Sequence, residues 1–204
     1  MRTKITLLIV VSILLTTHGL WAQADSTQTT KRKIHYTGNL MSGALFGKDG
    51  YGTYISVNTV HGVRYKRFTA GIGTGYDAYK DWNTLPVFGS ISYDFLRIKD
   101  DAFFVQFNGG YAWAFYSPRS DSYYNDYDSK GGRMLNPMIG YRFHVSNKVR
   151  LYISAGYKFQ RINYEFANNW YMYDMMPGAN YLPPVTKVQR DMDRVVVQIG
   201  FGLF

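Results

Sequence analysis

The sequence predicts an all-β chain, an eight-stranded antiparallel up-and-down transmembrane β-barrel behind a cleavable leader. Three observations lead there. Glycine and aromatic residues are abundant, with 20 Gly, 19 Tyr, 13 Phe and 4 Trp among 204 residues. From Ile34 onward bulky apolar side chains recur at every second position, the period of a strand and not of a helix. The polar faces of the strands hold only Asp94, Arg142, Arg150, Lys158 and Arg194 as charges deep within them, too few to clothe the outside of a soluble barrel. The complete absence of cysteine removes disulfides, thiolate metal sites, a thiol nucleophile and a lipidated N-terminal cysteine from consideration.

The first element is the leader, residues 1–24. Arg2 and Lys4 precede the apolar run Ile5–Leu15, and Ala22-Gln23-Ala24 supplies a small-x-small cleavage site. Eleven residues are too few for a membrane helix, which needs about 20. Cleavage removes Arg2 and Lys4 and lowers the formal charge from +9 to +7. Residues 25–33, with the basic run Lys31-Arg32-Lys33, form an N-terminal periplasmic extension, and residues 34–204 form the barrel. No later apolar run reaches helix-spanning length, so a membrane fold must be a closed barrel, in which every backbone group finds a partner.

The barrel segments follow in order. Segments 34–46 and 51–60 flank the short connection Gly47–Gly50, and a turn around His61-Gly62 leads into 65–76. Segment 85–97 ends at Lys99-Asp100-Asp101. Segment 102–116 alternates most clearly: Phe103, Val105, Phe107, Tyr111, Trp113 and Phe115 on one face, Gln106, Asn108, Ala112 and Ala114 on the other. Segment 132–144 contains Pro137, whose missing N–H calls for a bulge. Segments 149–164 and 192–204 alternate like the fifth. Short turns at His61-Gly62, Lys99–Asp101 and Ser146–Lys148 oppose longer loops at Asp77–Thr84, Ser117–Gly131 and Glu165–Asp191, the asymmetry of a barrel with both termini in the periplasm. A hairpin within residues 166–191 would raise the strand number to ten.

The bulky face suits lipid and the small or polar face suits a narrow lumen. Tyr93, Phe95, Tyr141 and Phe143 mark one aromatic girdle, and Tyr76, Tyr79, Trp82, Trp113, Phe115 and Tyr116 the other. Inside, Asp94 is expected to pair with some of Arg142, Arg150, Lys158 and Arg194, a structural network completed by Glu165, loop acids or water. A secreted, lipocalin-like barrel that holds a small apolar ligand is the soluble alternative.

The leader, eight alternating segments and the ending Gln198-Ile-Gly-Phe-Gly-Leu-Phe204 resemble the small outer-membrane barrels of the OmpA/OmpX type, as do the phrases Thr69–Tyr76 and Leu85–Phe88. The resemblance implies an integral outer-membrane protein, and an eight-stranded lumen has room for side chains but not for an open pore. A monomer in contact with lipopolysaccharide and phospholipid is expected, with a C-terminal strand read by the barrel-assembly machinery. Gly202 beside Leu203 departs from the family's terminal pattern, so a bulge near the end or an off-belt Phe204 is expected. His144-Val-Ser146-Asn147 is similar to the His-x-Ser-Asn stretch of lipid A deacylases, which implies a lipid-modifying hydrolase as the alternative. The nearest carboxylate downstream, Glu165, lies at the far end of the next strand, so no catalytic residues are assigned.

No cofactor or metal ligand set is legible. His35 and His61 are isolated, and the spacing of Asp121, Asp126 and Asp128 is not that of a calcium loop. In the last loop Trp170, Tyr171, Tyr173 and Tyr181 are the candidate recognition residues. The basic excess, including Arg64, Lys66, Arg67, Arg97, Lys99, Lys148 and Arg150, gathers at the periplasmic rim, where phospholipid headgroups are its expected contact. Nucleic acid is not a partner for an exported barrel.

Overall fold

The computed structural model describes residues 34–47, 52–116, 127–146, 148–167 and 185–203. The leader, the extension to residue 33, the candidate recognition residues Trp170, Tyr171, Tyr173 and Tyr181, and Phe204 lie outside the described residues.

Alternating side chains make strands, and the strands close into a ring. The segments are β1 (Ile34–Phe46), β2 (Thr53–Tyr65), β3 (Phe68–Ala78), β4 (Trp82–Ile98), β5 (Asp101–Tyr116), β6 (Tyr127–His144), β7 (Val149–Ala167), β8 (Val185–Asp191) and β9 (Arg194–Leu203). Every neighbour is antiparallel and consecutive from β1 to β7, and β9 closes the ring by pairing with both β7 and β1. β8 and β9 are two halves of one stave: Arg161 faces Asp191 and Lys158 faces Arg194, so the register against β7 runs unbroken across Met192-Asp193. The ring therefore has eight staves. β8 rises past the end of β1 and pairs with β7 there.

Parity sets the faces. Outward positions are bulky and apolar on every stave, from Leu40 on β1 through Ile72 on β3 and Ile139 on β6 to Ile199 on β9, with Ile72 73% exposed. Inward positions are buried, and the large ones stack in three clusters: Met41, Phe104 and Tyr152; Val60, Phe88 and Met134; and a larger group around Leu45, Trp82, Ile162 and Val196. Glycines on inward positions make the room. A Cβ on Gly73 would stand 2.5 Å from the Phe88 ring.

Several boundaries differ from the sequence reading. β2 continues through His61 and Gly62 to Tyr65, and the turn is the two-residue Lys66-Arg67. His61 stays in the strand because its ring is served on the outer face by the Tyr36 hydroxyl at 2.6 Å and Thr59 Oγ1 at 3.1 Å. Gly62 serves a close approach to Gly71 of β3, whose Cα would lie 2.6 Å from an added Cβ. β3 and β4 extend to Ala78 and from Trp82, which shrinks the expected Asp77–Thr84 loop to residues 79–81.

That extension carries Tyr79, Trp82 and Tyr116 to the interior. Tyr79 and Trp82 are buried and Tyr116 packs against them, so these three leave the expected girdle. Tyr76, Trp113 and Phe115 stay outside. At the opposite end Phe68 packs on Tyr93 with centroids 4.7 Å apart, Tyr141 contacts both Phe103 and Phe143 at 4.5 Å, and Phe95 meets Phe103 at 6.2 Å.

Pro137 sits without a bulge. It faces Phe107 of β5, and on the β7 side the ladder is interrupted between Leu135 and Met138 with no change of register. The missing N–H thus costs one bond on one side. The bulge of β6 lies instead at Ser129–Gly131, where Gly131 takes φ 71°. β9 keeps its register against β1 and β7 to Leu203, so no bulge precedes the C-terminal residue.

Candidate functional site

The chemistry-bearing side chains collect inside the barrel at two levels. β2, β4, β6 and β7 meet at the end closed by the short turns. There Asp94, fully buried, accepts from Arg64, Arg97 and Arg142 on its Oδ2. Arg142 is inward because β6 alternates in even phase at this end. Arg97 is not in phase with Asp94 in a regular strand. A bulge between Asp94 and Leu96 inserts Phe95 and turns Arg97 to the lumen side, where its Nε and Nη2 stand 3.2 and 3.1 Å from the carboxylate. Arg150 of β7 donates to the carbonyl of Asp100 at 2.7 Å. Asp101 is committed elsewhere, accepting from the Tyr141 hydroxyl at 2.9 Å and the His144 backbone N–H at 2.7 Å.

At the loop end the ion pair is Lys158 with Asp77, both buried, and Thr84 Oγ1 donates to the same carboxylate at 3.3 Å. Arg194 is buried at this level, with its guanidinium against Gly47. Between the two levels run neutral polar contacts. Gln106 Nε2 donates to Ser90 Oγ at 3.2 Å and to Asn108 Oδ1 at 2.8 Å, and Gln198 donates to Ser56 at 3.4 Å. Trp82 lies between Tyr116 and Tyr164 with centroids 5.1 and 4.8 Å away.

The expected single network is thus divided. Of the residues proposed to surround Asp94, Arg142 touches it, Arg150 sits at the same mouth, and Lys158 and Arg194 belong to the other end. Asp77 is absent from the sequence reading because the strand 65–76 ends one residue before it and Asp77–Thr84 reads as a loop; its parity with Gly73 and Thr69 is the available signal. Glu165 is on the outer face, where it pairs with Lys130 at 2.8 Å and Lys187 at 3.8 Å. It does not complete the lumen network.

These outer pairs stand beyond the apolar band. On β6 and β7 the outward residues change from Leu135 and Phe159 to Arg133 and Arg161, and Arg161 holds Asp191 of β8 through two bonds of 2.8 and 3.2 Å. The Lys130 ammonium holds the Glu165 carboxyl below its usual range, and Arg161 does the same to Asp191.

His144 and Ser146 flank the turn into β7, with Asn147 outside the described residues. Ser146 is exposed, and its Oγ accepts from the Lys148 N–H at 3.4 Å. The only described contact of His144 with an acid is through its backbone N–H, and Nδ1 of its ring has no hydrogen-bond partner among the described residues. A hydrolytic triad needs the ring itself to be oriented by the acid. No group of three metal-binding side chains occurs among the described residues.

No family model matches the chain, and no curated protein matches it. Solved structures do. The outer membrane protein OprG from Pseudomonas aeruginosa aligns with a TM-score of 0.53 at 12% identity, over 83% of this chain and 94% of that one. Neisserial surface protein A aligns with a TM-score of 0.51 at 14% identity, over 84% and 96%. At such identities the likeness is one of fold, and the fold of this chain is that of a small outer-membrane β-barrel.

Proposed function

We propose that this chain is an integral outer-membrane protein, exported by its leader, that acts without catalysis in a structural or surface-interaction role through its outer loops. One observation carries the reading: within the apolar band every stave turns bulky apolar side chains outward, and the charges that flank it outside lie beyond the band. In water that outward band would be an exposed apolar surface around the whole molecule, far beyond what a soluble monomer tolerates. In a bilayer it is the hydrocarbon-facing belt, and the aromatic residues of the short-turn end, among them Phe68, Tyr93, Phe103 and Tyr141, sit where a headgroup girdle belongs. The soluble lipocalin-like alternative needs the reverse arrangement.

The short-turn end faces the periplasm in this reading, and the loop end faces outward. Buried ion pairs near both ends and apolar clusters between them support a plugged lumen. Lipopolysaccharide and phospholipid are the lipid partners, the barrel-assembly machinery reads the last strand, and the folded unit is a monomer. The test is to express the chain with its leader, wash outer membranes with carbonate and urea, and compare unboiled with boiled protein on SDS gels. A retained band that shifts on heating is expected, and purified protein in liposomes passes no small sugars. Recovery in the soluble periplasmic fraction overturns the membrane reading, and sugar flux overturns the plug.

A further inference from the structure

The two charged ends of the lumen are not alike. At the loop end Lys158 has its own carboxylate in Asp77. At the short-turn mouth a cavity of about 180 Å³ opens, lined by Arg64, Lys66, Arg97, Lys99, Arg142 and Arg150. The carboxylates there are Asp94 beneath the cavity and Asp100 and Asp101 on its wall, so the described groups carry six positive charges against three negative. Asp101 is already engaged by Tyr141 and His144.

Three separate local features deliver the cations. The bulge at Phe95 swings Arg97 from the lipid side to the lumen side. The two turns Lys66-Arg67 and Lys99-Asp100 each begin with a lysine in the left-handed region, at φ 55° and 57°. Glycine or asparagine occupies such a position at lower cost, yet here both positions hold a lysine that lines the cavity. A network meant only to hold the staves together needs balanced charge, and these features add cations to a place that already has an excess of them.

A concave site of one sign concentrates the opposite charge, and guanidinium forks match phosphate oxygens two at a time. The volume equals that of about six waters at ~30 Å³ each, room for one phosphate group with part of its hydration. We propose that this mouth is a binding site for a phosphate group, carried either by a soluble phosphorylated solute or by a phospholipid headgroup reaching over the rim. Arg97 of β4 and Arg150 of β7 stand on its wall, and Lys66 and Lys99 lie in the turns at its rim, with the Lys66 carbonyl accepting from Arg64 and Arg97. The proposal rests on the membrane reading only for the compartment that the mouth faces.

The test uses the full mature chain folded in an uncharged maltoside detergent, titrated with inorganic phosphate and with glycerol 3-phosphate by calorimetry. Saturable binding that weakens with salt is expected. The variant carrying Lys66→Gly and Lys99→Gly removes two cations at positions that suit glycine, so it folds with an unchanged heat shift while affinity falls at least about tenfold. Lys148→Gln, a rim cation outside the cavity, leaves binding intact. In phosphatidylglycerol nanodiscs, loss of glycerol 3-phosphate binding relative to phosphatidylcholine nanodiscs assigns the site to a lipid headgroup, and retention assigns it to a soluble solute. No saturable phosphate binding in detergent or in nanodiscs overturns the site, as does equal affinity in the double-glycine variant. The heat shift on the same samples reports separately on the barrel.

Discussion

Asp94 shows how one side chain can govern an end of a barrel. Its fully buried carboxylate holds guanidiniums from three staves on Oδ2, so its loss leaves like charges facing one another. Asp94→Asn is expected to cost about 3–5 kcal/mol, the range for breaking a buried pair from one side. The midpoint of urea unfolding in liposomes measures it. Removing a pair from both sides is a different experiment. Asp77→Leu with Lys158→Met removes both charges of the pair, and its midpoint is expected to match the wild type or exceed it. The alternation of the sequence places Asp94, Arg142, Arg150, Lys158 and Arg194 on the inward face, because parity is a local property. It does not say which acid meets which cation, since that depends on height along staves far apart in sequence.

At the scale of elements, register and bulges decide. Gly131 marks the bulge of β6, with positive φ and the Ala112 carbonyl where a Cβ would project. Gly131→Val is expected to lower the unfolding midpoint by at least about 1–2 kcal/mol, the strain of a side chain in the left-handed region. The extension of β6, β7 and β8 beyond the belt is held by exposed pairs, Lys130–Glu165 and Arg161–Asp191. Both carboxyls are held below their ordinary range in the folded chain, so their stabilisation is present above the unfolded value and is lost as pH falls through the lowered one. Hydrogen exchange, corrected for intrinsic rates, should show Val185–Asp191 losing protection as pH falls through the carboxylate range while β9 keeps its own. Global stability barely changes, because exposed pairs contribute little. The sequence shows β9 clearly and misses β8. Val185-Thr-Lys-Val-Gln-Arg-Asp191 carries charge on both faces and buries none of its side chains fully, and becomes a strand only because β7 is long enough to pair with it.

Across the whole molecule the belt is the decisive feature, and a charge placed in it reports the solvent. Ile199 is outward in the middle of β9, opposite Ser42 and Ile153. Ile199→Arg is expected to destabilise the barrel in a bilayer by about 2–4 kcal/mol, read from its folding equilibrium in liposomes. A water-facing position would tolerate the same change. The all-β class, the strand period and the inside-out distribution of apolar side chains were determined by the sequence alone, because each is a repeat over neighbouring residues. The tertiary structure decided three further things. It set the fusion of β8 with β9 into one stave, the separation of the lumen charges into two ends, and the gathering of Arg97, Lys66 and Lys99 around one cavity. Each depends on which residues ring closure brings level, and a bulge of one residue suffices to move a side chain from lipid to lumen.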